Sequence, residues 1–405
     1  MNTTLNIDRF PSGQIFLPPS KSVGHRALIC SALAGGGTVH NSGTNEDIQA
    51  TLRCLKALQD GESLLDCGES GSTLRFLIPI AALEGRPITF TGHGRLMERP
   101  LDVYEDCMRG KGVTFTRGDN TFTVRGPLEG GKFRLPGNVS SQFITGLLLA
   151  LPLLPDDSMI FVKTDLQSAS YVDLTLDVLK DYGITIHNNN HTTYFVPGNQ
   201  AYRTRDYTVE ADFSGAAFFL AAAALGRPLE LMGLNLQSVQ GDRAFLDLLE
   251  QAGYSLSTGP RGGLTVTGPQ RPKPLTVDVG DIPDLVPPLA ALLAFADGES
   301  RIVNAGRLRI KESDRLATVT RQLNHLGADV TEGDDSLVIH GKARLSGGNC
   351  CGENDHRIAM MCAVASIGCD GPVTLTDYTC VKKSYPDFWR DFLGEIPTPD
   401  TKEEF

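Results

Sequence analysis

The residues best suited to chemistry lie at the polar beginnings of six apolar segments. These beginnings are rich in Ser, Asp and Asn: PSKS (19–22), ESGS (69–72), NVSS (138–141), DFSG (212–215), DIPD (281–284) and ENDH (353–356). Basic residues lie in or beside several of them, namely Lys21, Arg26, Arg75 and Arg357. Because a helix N-terminus carries exposed N–H donors and partial positive charge, added Lys and Arg side chains favour anions there. The pattern predicts a ligand with phosphate or carboxylate groups, and helix capping alone is the preferred interpretation only for DFSG.

Further basic residues occupy three loops, GHGRLMERP (92–100), RLRIKESDR (307–315) and CVKKSYPDF (380–388). They are Arg95, Arg99, Arg307, Arg309, Lys311, Arg315, Lys382 and Lys383. Asp284, Glu312 and His356 among these cations would equip the same site for proton transfer. An alternative interpretation makes 311–315 the exposed first turn of a helix that runs to Leu326, with charge pairing along its surface.

Six apolar segments follow the polar beginnings and are predicted to be helices inside a core, because they are apolar on nearly every side. They are VGHRALICSALA (23–34), TLRFLIPIAAL (73–83), QFITGLLLALPLL (142–154), SGAAFFLAAAAL (214–225), LVPPLAALLAFA (285–296) and RIAMMCAVASI (357–367). A breaking Gly or Pro follows each helix, and a β-rich stretch follows most of them. The breakers recur at intervals of about 70 residues, with a shorter first interval, which indicates an internal repeat.

The second half of the repeat contains an amphipathic helix that ends at glycine, then two short strands around a polar turn. Turns such as GDN (118–120) and TEGDD (331–335) are typical of hairpins. We therefore predict an α/β fold built from α+β modules with buried helices. Six modules exceed one comfortable core, so we expect two domains of three modules. The chain should cross between them near Tyr202–Asp212, with ligands in an interdomain cleft.

Composition places the chain among globular proteins and disfavours two classes of partner. Its 405 residues are 41% hydrophobic and 21% charged, with a net charge of −11. Such an acidic chain is a poor candidate for binding nucleic acid or an anionic membrane. The nine cysteines are scattered without CxxC spacing, which favours reduced thiols in a cytoplasm. No signal peptide is visible, and the longest apolar stretch, 143–154, is too short to cross a bilayer.

Three segments are similar to cofactor-binding or metal-binding motifs, but each lacks a feature that the motif requires. GPLEGGK (126–132) is close to a phosphate-binding loop, but Phe133 stands where Ser or Thr is required, and Pro136 follows instead of a helix. Gly92-His93-Gly94 lacks the third glycine of a dinucleotide fingerprint. His187 and His191 flank a predicted turn instead of lying on one helix face. We predict neither a metal nor a cofactor.

Eight motifs along almost the whole chain resemble those of the EPSP synthase (3-phosphoshikimate 1-carboxyvinyltransferase) family. They are LPPSKSVGHRALICSALA, ESGSTLR, GRLMERP, NVSSQF, IPD, RIKESDR, NDHRIAM and KKSYPDF, in the family's order. The resemblance implies two domains, each of three βαβαββ-type units. It also implies a partition into 19–211, with the shikimate-phosphate site, and 1–18 plus 212–405, with the catalytic acid and base and residues for phosphoenolpyruvate (PEP).

The implied reaction transfers the enolpyruvyl group of PEP to the 5-hydroxyl of shikimate 3-phosphate, in chorismate and aromatic amino-acid biosynthesis. By motif, the residues implied to bind shikimate 3-phosphate are Lys21, Ser22, Arg26, Ser140, Ser141, Gln142, Ser168, Tyr171, Asp284 and Lys311. Those implied to bind PEP are Lys21, Gly71, Arg99, Gln142, Arg315, His356, Arg357 and Lys383. Asp284 is implied as the base and Glu312 as the acid, with Lys21 in the catalytic set. The partners expected are these two small molecules, with the protein a cytoplasmic monomer.

Rival functions are less consistent with the sequence. The related UDP-N-acetylglucosamine enolpyruvyltransferases resemble KN where this chain has Lys21-Ser22, and they use a loop cysteine; here the first cysteine after Arg99 is Cys107, which we predict to be helical. An RNA-binding or structural repeat protein would need a basic face. A non-catalytic relative is disfavoured because Asp284 and Glu312 are both present at motif positions.

Overall fold

The computed structural model describes residues 4–394, and the chain divides into two compact units. One runs up to Pro18 and resumes at Ala211, and the other is Pro19–Glu210. The partition implied from the sequence ends the middle unit at 211, one residue further along the chain than this division. The predicted domain ends at 1–3 and 395–405 lie outside the described residues.

The helices are α1 Lys21–Leu33, α2 Glu46–Gln59, α3 Gly71–Ala81, α4 Asp102–Cys107, α5 Gln142–Ala150, α6 Ala169–Asp181, α7 Phe213–Ala224, α8 Ala244–Gln251, α9 Val286–Leu293, α10 Arg315–His325, α11 His356–Ser366 and α12 Phe388–Leu393. Short 3₁₀ segments lie at Ala82–Glu84, Leu96–Glu98, Leu151–Leu153, Gly241–Arg243, Pro283–Leu285, Gly306–Ile310 and Tyr378–Lys383. Each predicted apolar segment therefore contains a helix. Among residues 4–394, no helix is both long and apolar enough to span a membrane.

The strands are β1 Thr4–Ile7, β2 Gly13–Phe16, β3 Val39–His40, β4 Leu64–Asp66, β5 Pro87–Thr91, β6 Thr114–Gly118, β7 Thr121–Arg125, β8 Gly131–Leu135, β9 Ser158–Val162, β10 His187–Asn189, β11 Thr193–Val196, β12 Tyr207–Thr208, β13 Leu229–Met232, β14 Ser255–Thr258, β15 Leu264–Thr267, β16 Thr276–Asp278, β17 Glu299–Val303, β18 Val330–Glu332, β19 Leu337–His340, β20 Gly348–Cys351 and β21 Val373–Thr376. The turns GDN and TEGDD join β6 to β7 and β18 to β19, which are antiparallel pairs as predicted.

The repeat predicted from the sequence is visible in the sheets. Within the described residues, four sheets share one order: β4-β5-β7-β6, β8-β9-β11-β10, β2-β13-β15-β14 and β16-β17-β19-β18. In each of them the first pair is parallel and the remaining pairs are antiparallel. A parallel pair requires a crossover. An apolar helix supplies it in three of these sheets, namely α3, α5 and α9, whereas the crossover from β2 to β13 includes the whole Pro19–Glu210 unit. Two smaller sheets, β1-β21-β20 and β12-β3, complete the set in residues 4–394.

Two of the parallel pairs join strands that are distant in sequence. β2 pairs with β13, so that Gly13 lies opposite Leu229. β12 pairs with β3, with Tyr207 opposite Val39. In each pair, one strand thus completes a module whose other elements come from a different part of the chain. Periodicity along the sequence could not have indicated this exchange, because a distant strand leaves no mark on the local pattern.

Each unit has its own core, formed by the apolar helices. In the Pro19–Glu210 unit, α3 packs against α5, and the core includes Phe76 and Phe143. In the other unit, α7, α9 and α11 pack together around residues such as Phe218. The polar beginnings lie at the N-terminal ends of these helices, where they cap them; Ser20, Ser70, Asp212 and Asp355 each accept a backbone N–H. This arrangement places the chemistry-bearing residues at helix N-termini.

Candidate active site

Lys21 is the first residue of α1, and its ammonium group pairs with a carboxylate that sequence analysis did not identify. Lys21 Nζ lies 2.7 Å from Asp47 Oδ2, in the first turn of α2. The Oγ of Ser20 caps α1 by accepting from the backbone N–H of Val23. Both charged side chains remain partly accessible, at 16% and 13%. The ammonium group is therefore available to an anion at the N-terminus of α1.

Arg26 links α1 to α6 from a buried position. Its Nη1 donates to the carbonyl oxygen of Ser22 at 2.7 Å, Nη2 to that of Tyr171 at 2.9 Å, and Nε to Thr175 Oγ1 at 2.8 Å. The guanidinium also lies 5.0 Å from the centre of the Phe76 ring. Burial lowers the pKa of Arg26 to about 10. In this arrangement Arg26 positions two of the predicted site residues.

Gln142 connects the beginnings of α3 and α5. Its Oε1 accepts from Arg75 Nη1 at 2.8 Å, and its Nε2 donates to Ser72 Oγ at 3.0 Å. Arg75 also donates to the carbonyl oxygen of Pro100 at 3.2 Å and is nearly buried. The backbone N–H of Gln142 donates to Ser140 Oγ at 3.3 Å. Arg75 therefore orients Gln142, and its role as an anion-binding cation stays a prediction.

Gly71 and Arg99 are in direct contact at the N-terminus of α3. A methyl group added to Gly71 would lie 2.7 Å from Arg99 Nη1 and 3.1 Å from Cζ. Arg99 directly follows the 3₁₀ segment Leu96–Glu98 and has an extended backbone. Glycine thus lets the guanidinium approach the first backbone N–H groups of the helix. Helix donors and a cation at one place form an anion-binding arrangement.

Ser141 and Ser168 immediately precede α5 and α6, and both are buried. Ser168 has φ of 58°, a left-handed conformation that is uncommon for residues other than glycine. Tyr171 follows in the first turn of α6 and is tied to Arg26 through its carbonyl oxygen. The Pro19–Glu210 unit therefore presents its predicted substrate residues at the starts of α1, α3, α5 and α6.

Asp284 is the centre of the charged cluster in the other unit. It lies in the 3₁₀ segment Pro283–Leu285, just before α9. Its Oδ1 accepts from Arg315 Nη1 at 2.8 Å and lies 3.3 Å from Lys311 Nζ, and its Oδ2 accepts from Arg357 Nη2 at 2.9 Å. Three motifs far apart in sequence thus meet at one carboxylate.

Arg315 holds several carboxylates at once. Besides Asp284, its Nη2 donates to Glu312 Oε2 at 2.7 Å and its Nε to Asp355 Oδ2 at 2.8 Å. Burial alone would lower the pKa of Arg315, but the carboxylates of Asp355, Glu312 and Asp284 raise it above its usual value. A planar guanidinium suits this role because its donors point in fixed directions. The distance between the acid and base candidates is therefore set by one side chain.

The alternative interpretation of 311–315 as an exposed helical turn is wrong. Helix α10 begins only at Arg315, with Asp314 as its cap, and Lys311 and Glu312 precede it. Only 1% of the Arg315 side chain is exposed. Burial, opposed by Asp284 and reinforced by Arg315, lowers the pKa of Lys311 to about 8.

Asp355, His356 and Arg357 form the beginning of α11. Asp355 caps the helix by accepting from the backbone N–H of Arg357 at 3.0 Å, while its other oxygen accepts from Arg315. His356 is nearly buried. Lys383, in the 3₁₀ segment Tyr378–Lys383, donates to the carbonyl oxygen of Asn354 at 2.7 Å and to its Oδ1 at 2.8 Å. Arg357 and Lys383 are thereby directed to the same helix N-terminus.

Several functional partners were missed by sequence reasoning. Asp47 and Asn354 pair with Lys21 and Lys383; no motif included Asp47, and Asn354 belonged to the polar beginning ENDH without a role of its own. Asp355 belongs to the motif NDHRIAM. The sequence did not indicate that its carboxylate would contact both Arg315 and the backbone N–H of Arg357. Asp242 is also buried near Asp284, and it accepts a hydrogen bond from the hydroxyl of Ser214. Burial first, and the charge of Asp284 second, raise the pKa of Asp242 to about 6.

Some predicted cations lie neither with the residues at the starts of α1, α3, α5 and α6 nor with those around Asp284. Arg95 is exposed and lies 3.6 Å from Glu98, a neighbour on the same turn. Arg309 pairs with Asp314 at 3.0 Å, and Lys382 is exposed beside buried Lys383. Their positions are those of ordinary surface cations. Similar loop composition was therefore not enough to separate site residues from the rest.

A family model described as EPSP synthase (3-phosphoshikimate 1-carboxyvinyltransferase) matches residues 9–63 and 59–392. A relative named 3-phosphoshikimate 1-carboxyvinyltransferase from Clostridium kluyveri is 45% identical over 409 residues, covering 95% of this chain and 96% of the relative. A relative of the same name from Clostridium novyi is 43% identical over 421 residues, covering 96% of each.

Solved structures show the same fold. EPSP synthase from Acinetobacter baumannii has a TM-score of 0.77 at 24% identity, over 96% of this chain and 97% of that chain. The enolpyruvyl transferase NikO from Streptomyces tendae also has a TM-score of 0.77, at 18% identity, over 97% of each chain. At these identities the likeness concerns the fold.

Proposed function

We infer, because this chain belongs to the EPSP synthase family, that two charged clusters carry substrate binding and proton transfer. One cluster lies at the starts of α1, α3, α5 and α6, and the other surrounds Asp284. The chain transfers the enolpyruvyl group of PEP to shikimate 3-phosphate in aromatic amino-acid biosynthesis. Both substrates carry several negative charges. A site for them requires cations and helix N-termini, which both clusters contain.

Asp284 is the proposed base that removes the proton from the attacking 5-hydroxyl. Its carboxylate accepts from Lys311, Arg315 and Arg357. These contacts fix its orientation, and a base held in place contributes more than a mobile one.

Glu312 is the proposed acid that protonates the methylene carbon of PEP. This step leaves an oxocarbenium-like centre, which the hydroxyl oxygen attacks to give a tetrahedral intermediate. Loss of phosphate and return of a methyl proton to Glu312 then form the enol ether of the product. The hydrogen bond from Arg315 Nη2, at 2.7 Å, supports this role because it orients the carboxyl group.

PEP binding is assigned to residues that combine charge with helix N-termini. Lys21, Gly71 and Arg99 supply the anion-binding arrangement of α1 and α3, and Gln142 supplies an amide beside α3. In the other unit, Arg315, His356, Arg357 and Lys383 are the proposed PEP residues. Cations near the departing phosphate would lower the barrier to its expulsion, because they stabilise charge that develops in the transition state.

Shikimate 3-phosphate is assigned chiefly to the Pro19–Glu210 unit. The proposed residues share positions at the starts of α1, α5 and α6: Lys21, Ser22, Arg26, Ser140, Ser141, Gln142, Ser168 and Tyr171. Hydroxyl, amide and ammonium groups there match a phosphate and a ring of hydroxyls. Asp284 and Lys311 are proposed to act on the acceptor at its 5-hydroxyl.

The rival acceptor, UDP-N-acetylglucosamine, is disfavoured by the state of Cys107. That rival enzyme uses a loop cysteine, whereas Cys107 here is the last residue of α4 and is buried. Burial raises the pKa of the Cys107 thiol to about 12. A thiol that is buried and protonated is a poor nucleophile or acid.

We also propose that the protein works as a monomer in a reducing compartment such as the cytoplasm. All nine cysteines, which lie between Cys30 and Cys380, are free thiols. This supports a reducing environment. Light scattering of the purified protein at several concentrations tests the monomer, and a mass that rises to twice 43.6 kDa would contradict it.

The observation that carries the proposal is the sharing of Arg315 by Asp284 and Glu312. The test follows deuterium entering the methylene of PEP in D₂O with shikimate 3-phosphate present. Glu312→Gln should abolish this exchange, whereas the control Glu299→Gln, at a surface pair with Arg301, should leave it unchanged. Normal exchange in Glu312→Gln would overturn the assignment of the acid.

A further inference from the structure

A row of buried polar side chains joins helices α1, α2 and α3 near their N-termini. His25 Nδ1 lies 2.7 Å from Thr51 Oγ1, which lies 2.6 Å from Thr73 Oγ1. Thr73 Oγ1 donates to Ser70 Oγ at 2.7 Å. All four residues have 0% exposure. Because a buried polar network is costly unless its members are satisfied, these contacts restrict how the three helices can be placed.

The hydroxyl protons give this row a direction. Ser70 Oγ also accepts the backbone N–H of Thr73 as the cap of α3. The single hydroxyl proton of Thr73 is used towards Ser70, so Thr73 Oγ1 accepts from Thr51. Thr51 Oγ1 must then accept from His25, which places the imidazole proton on Nδ1.

The imidazole is neutral and its other nitrogen plays no part in the row. Burial, followed by the charges of Lys21 and Arg26, holds the pKa of His25 well below its ordinary value. Nε2 is buried and has no hydrogen-bond partner among residues 4–394. The ring lies edge-on to Phe76, with 6.3 Å between centroids. The Nδ1–H group is therefore the polar function of this side chain.

The helices joined by the row carry residues assigned to PEP. Lys21 lies one turn before His25 on α1, and its partner Asp47 lies one turn before Thr51 on α2. The carbonyl oxygen of Asp47 is also 3.4 Å from Thr73 Oγ1. Ser70 directly precedes Gly71, which contacts Arg99. A shift of any one helix would therefore change the spacing between the ammonium group and the N-terminus of α3.

We propose that His25 is a positioning residue for PEP: its Nδ1–H, acting through Thr51, Thr73 and Ser70, fixes the distance between Lys21 and the Gly71 end of α3. The proposal rests on the proposed function, which assigns Lys21 and Gly71 to PEP. His25 itself touches no substrate in this scheme. Its removal should weaken PEP binding while the chemical step continues.

Asparagine and glutamine variants separate the two imidazole nitrogens. His25→Asn places an amide N–H near the position of Nδ1, whereas His25→Gln places it near Nε2, and His25→Leu supplies neither. We expect His25→Asn to keep KM for PEP within about twofold, and His25→Leu and His25→Gln to raise it about tenfold with kcat nearly unchanged. Thr51→Val should match His25→Leu, and the double variant should add little because the same row is already broken.

A matched control removes a buried hydroxyl elsewhere in the same unit. Ser158 Oγ accepts from the backbone N–H of Gly131 at 3.3 Å, and Ser158→Ala should lower Tm without changing KM for PEP. A lower Tm with unchanged KM in His25→Leu would overturn the proposal, as would equal rescue by Gln and Asn. Lys21→Ala tests the proposed function separately: unchanged PEP binding there would remove the assignment of Lys21, whatever the His25 series shows.

Discussion

Arg315 and Asp355 form an ion pair that solvent hardly reaches: Nε and Oδ2 are 2.8 Å apart, and the side chains are 1% and 0% exposed. A buried pair of this kind is stabilising only if its remaining donors and acceptors are satisfied. Here they are, because Arg315 continues to Asp284 and Glu312, and Asp355 accepts from Ser313 and the start of α11. The pair therefore anchors the acid and base candidates to the core of their unit.

Arg315→Lys tests this anchor. A lysine keeps the charge but loses the planar set of donors, so it cannot hold Asp284, Glu312 and Asp355 together. We expect kcat to fall at least about 100-fold and the free energy of unfolding to fall by about 3 kcal/mol. Phosphate release and urea unfolding measure the two effects. Arg344→Lys, at an exposed pair with Asp370, is the control; equal behaviour of the two variants would contradict the anchoring role.

Asp284→Asn tests the base. The amide keeps the size of the side chain but cannot take up the hydroxyl proton, so kcat should fall by about 10³-fold or more. Shikimate 3-phosphate binding, followed by calorimetry, should remain measurable. Asp297→Asn, at an exposed surface pair, should be indistinguishable from the parent. A rate within tenfold of the parent in Asp284→Asn would require another base.

Gly71→Ala tests the contact with Arg99. The added methyl would lie 2.7 Å from Nη1, so the guanidinium must move away from the N-terminus of α3. We expect KM for PEP to rise about tenfold, with a much smaller change for shikimate 3-phosphate. In an Arg99→Ala background the same substitution should add little, because the clash is gone. Equal increases for both substrates would show that Gly71 does not act at PEP.

Lys311 gives a pH dependence with a definite sign. Because the pKa of Lys311 is lowered to about 8, its positive charge is present below that pH and is lost above it. We expect kcat/KM to decline as the pH rises through 8. Lys311→Arg should shift this decline beyond pH 10, whereas the surface control Lys342→Arg should retain it. A decline that persists in Lys311→Arg would point to another group.

Asp242 makes the free energy of unfolding depend on pH in the opposite sense to most carboxylates. Its pKa is raised from 3.8 to about 6, so the folded state binds the proton more tightly than the unfolded state does. Its stabilising contribution is present below pH 4 and lost as the pH rises through 6. Relative to Asp242→Asn, the parent should lose about 3 kcal/mol of unfolding free energy between pH 4 and 7. Urea unfolding measures this difference, and Asp247→Asn is the exposed control; a constant difference would contradict it.

The sequence predicted the local elements of the fold well. The buried helices and the hairpins followed from apolar periodicity and from Gly positions, which are properties of neighbouring residues. The modular repeat was visible for the same reason. The family resemblance implied only that 1–18 belongs with 212–405; the pairing of β2 with β13 was not predicted, because strand partners so far apart depend on the complete chain.

The site was predictable in residue type but not in detail. Motifs drew attention to Arg315, yet only three-dimensional structure shows that it is buried among three carboxylates. Arg75 and Lys21 both lie near a polar helix start, but the guanidinium of Arg75 bonds to Gln142 and Pro100. Which cation faces a ligand and which orients a neighbour depends on acceptors from other motifs, and no local pattern records them.

The exchange of strands has a consequence for biosynthesis. β2 is made long before Leu229 and its neighbours in β13 emerge, and the partner strand of β1 lies later still, at Val373–Thr376. At roughly 5–20 residues per second, the ribosome keeps β2 waiting for about 10–40 s. During that interval the Pro19–Glu210 unit can fold on its own, while β1 and β2 stay unpaired and accessible to chaperones. β1 and β2 thus join their sheets well after they have been made.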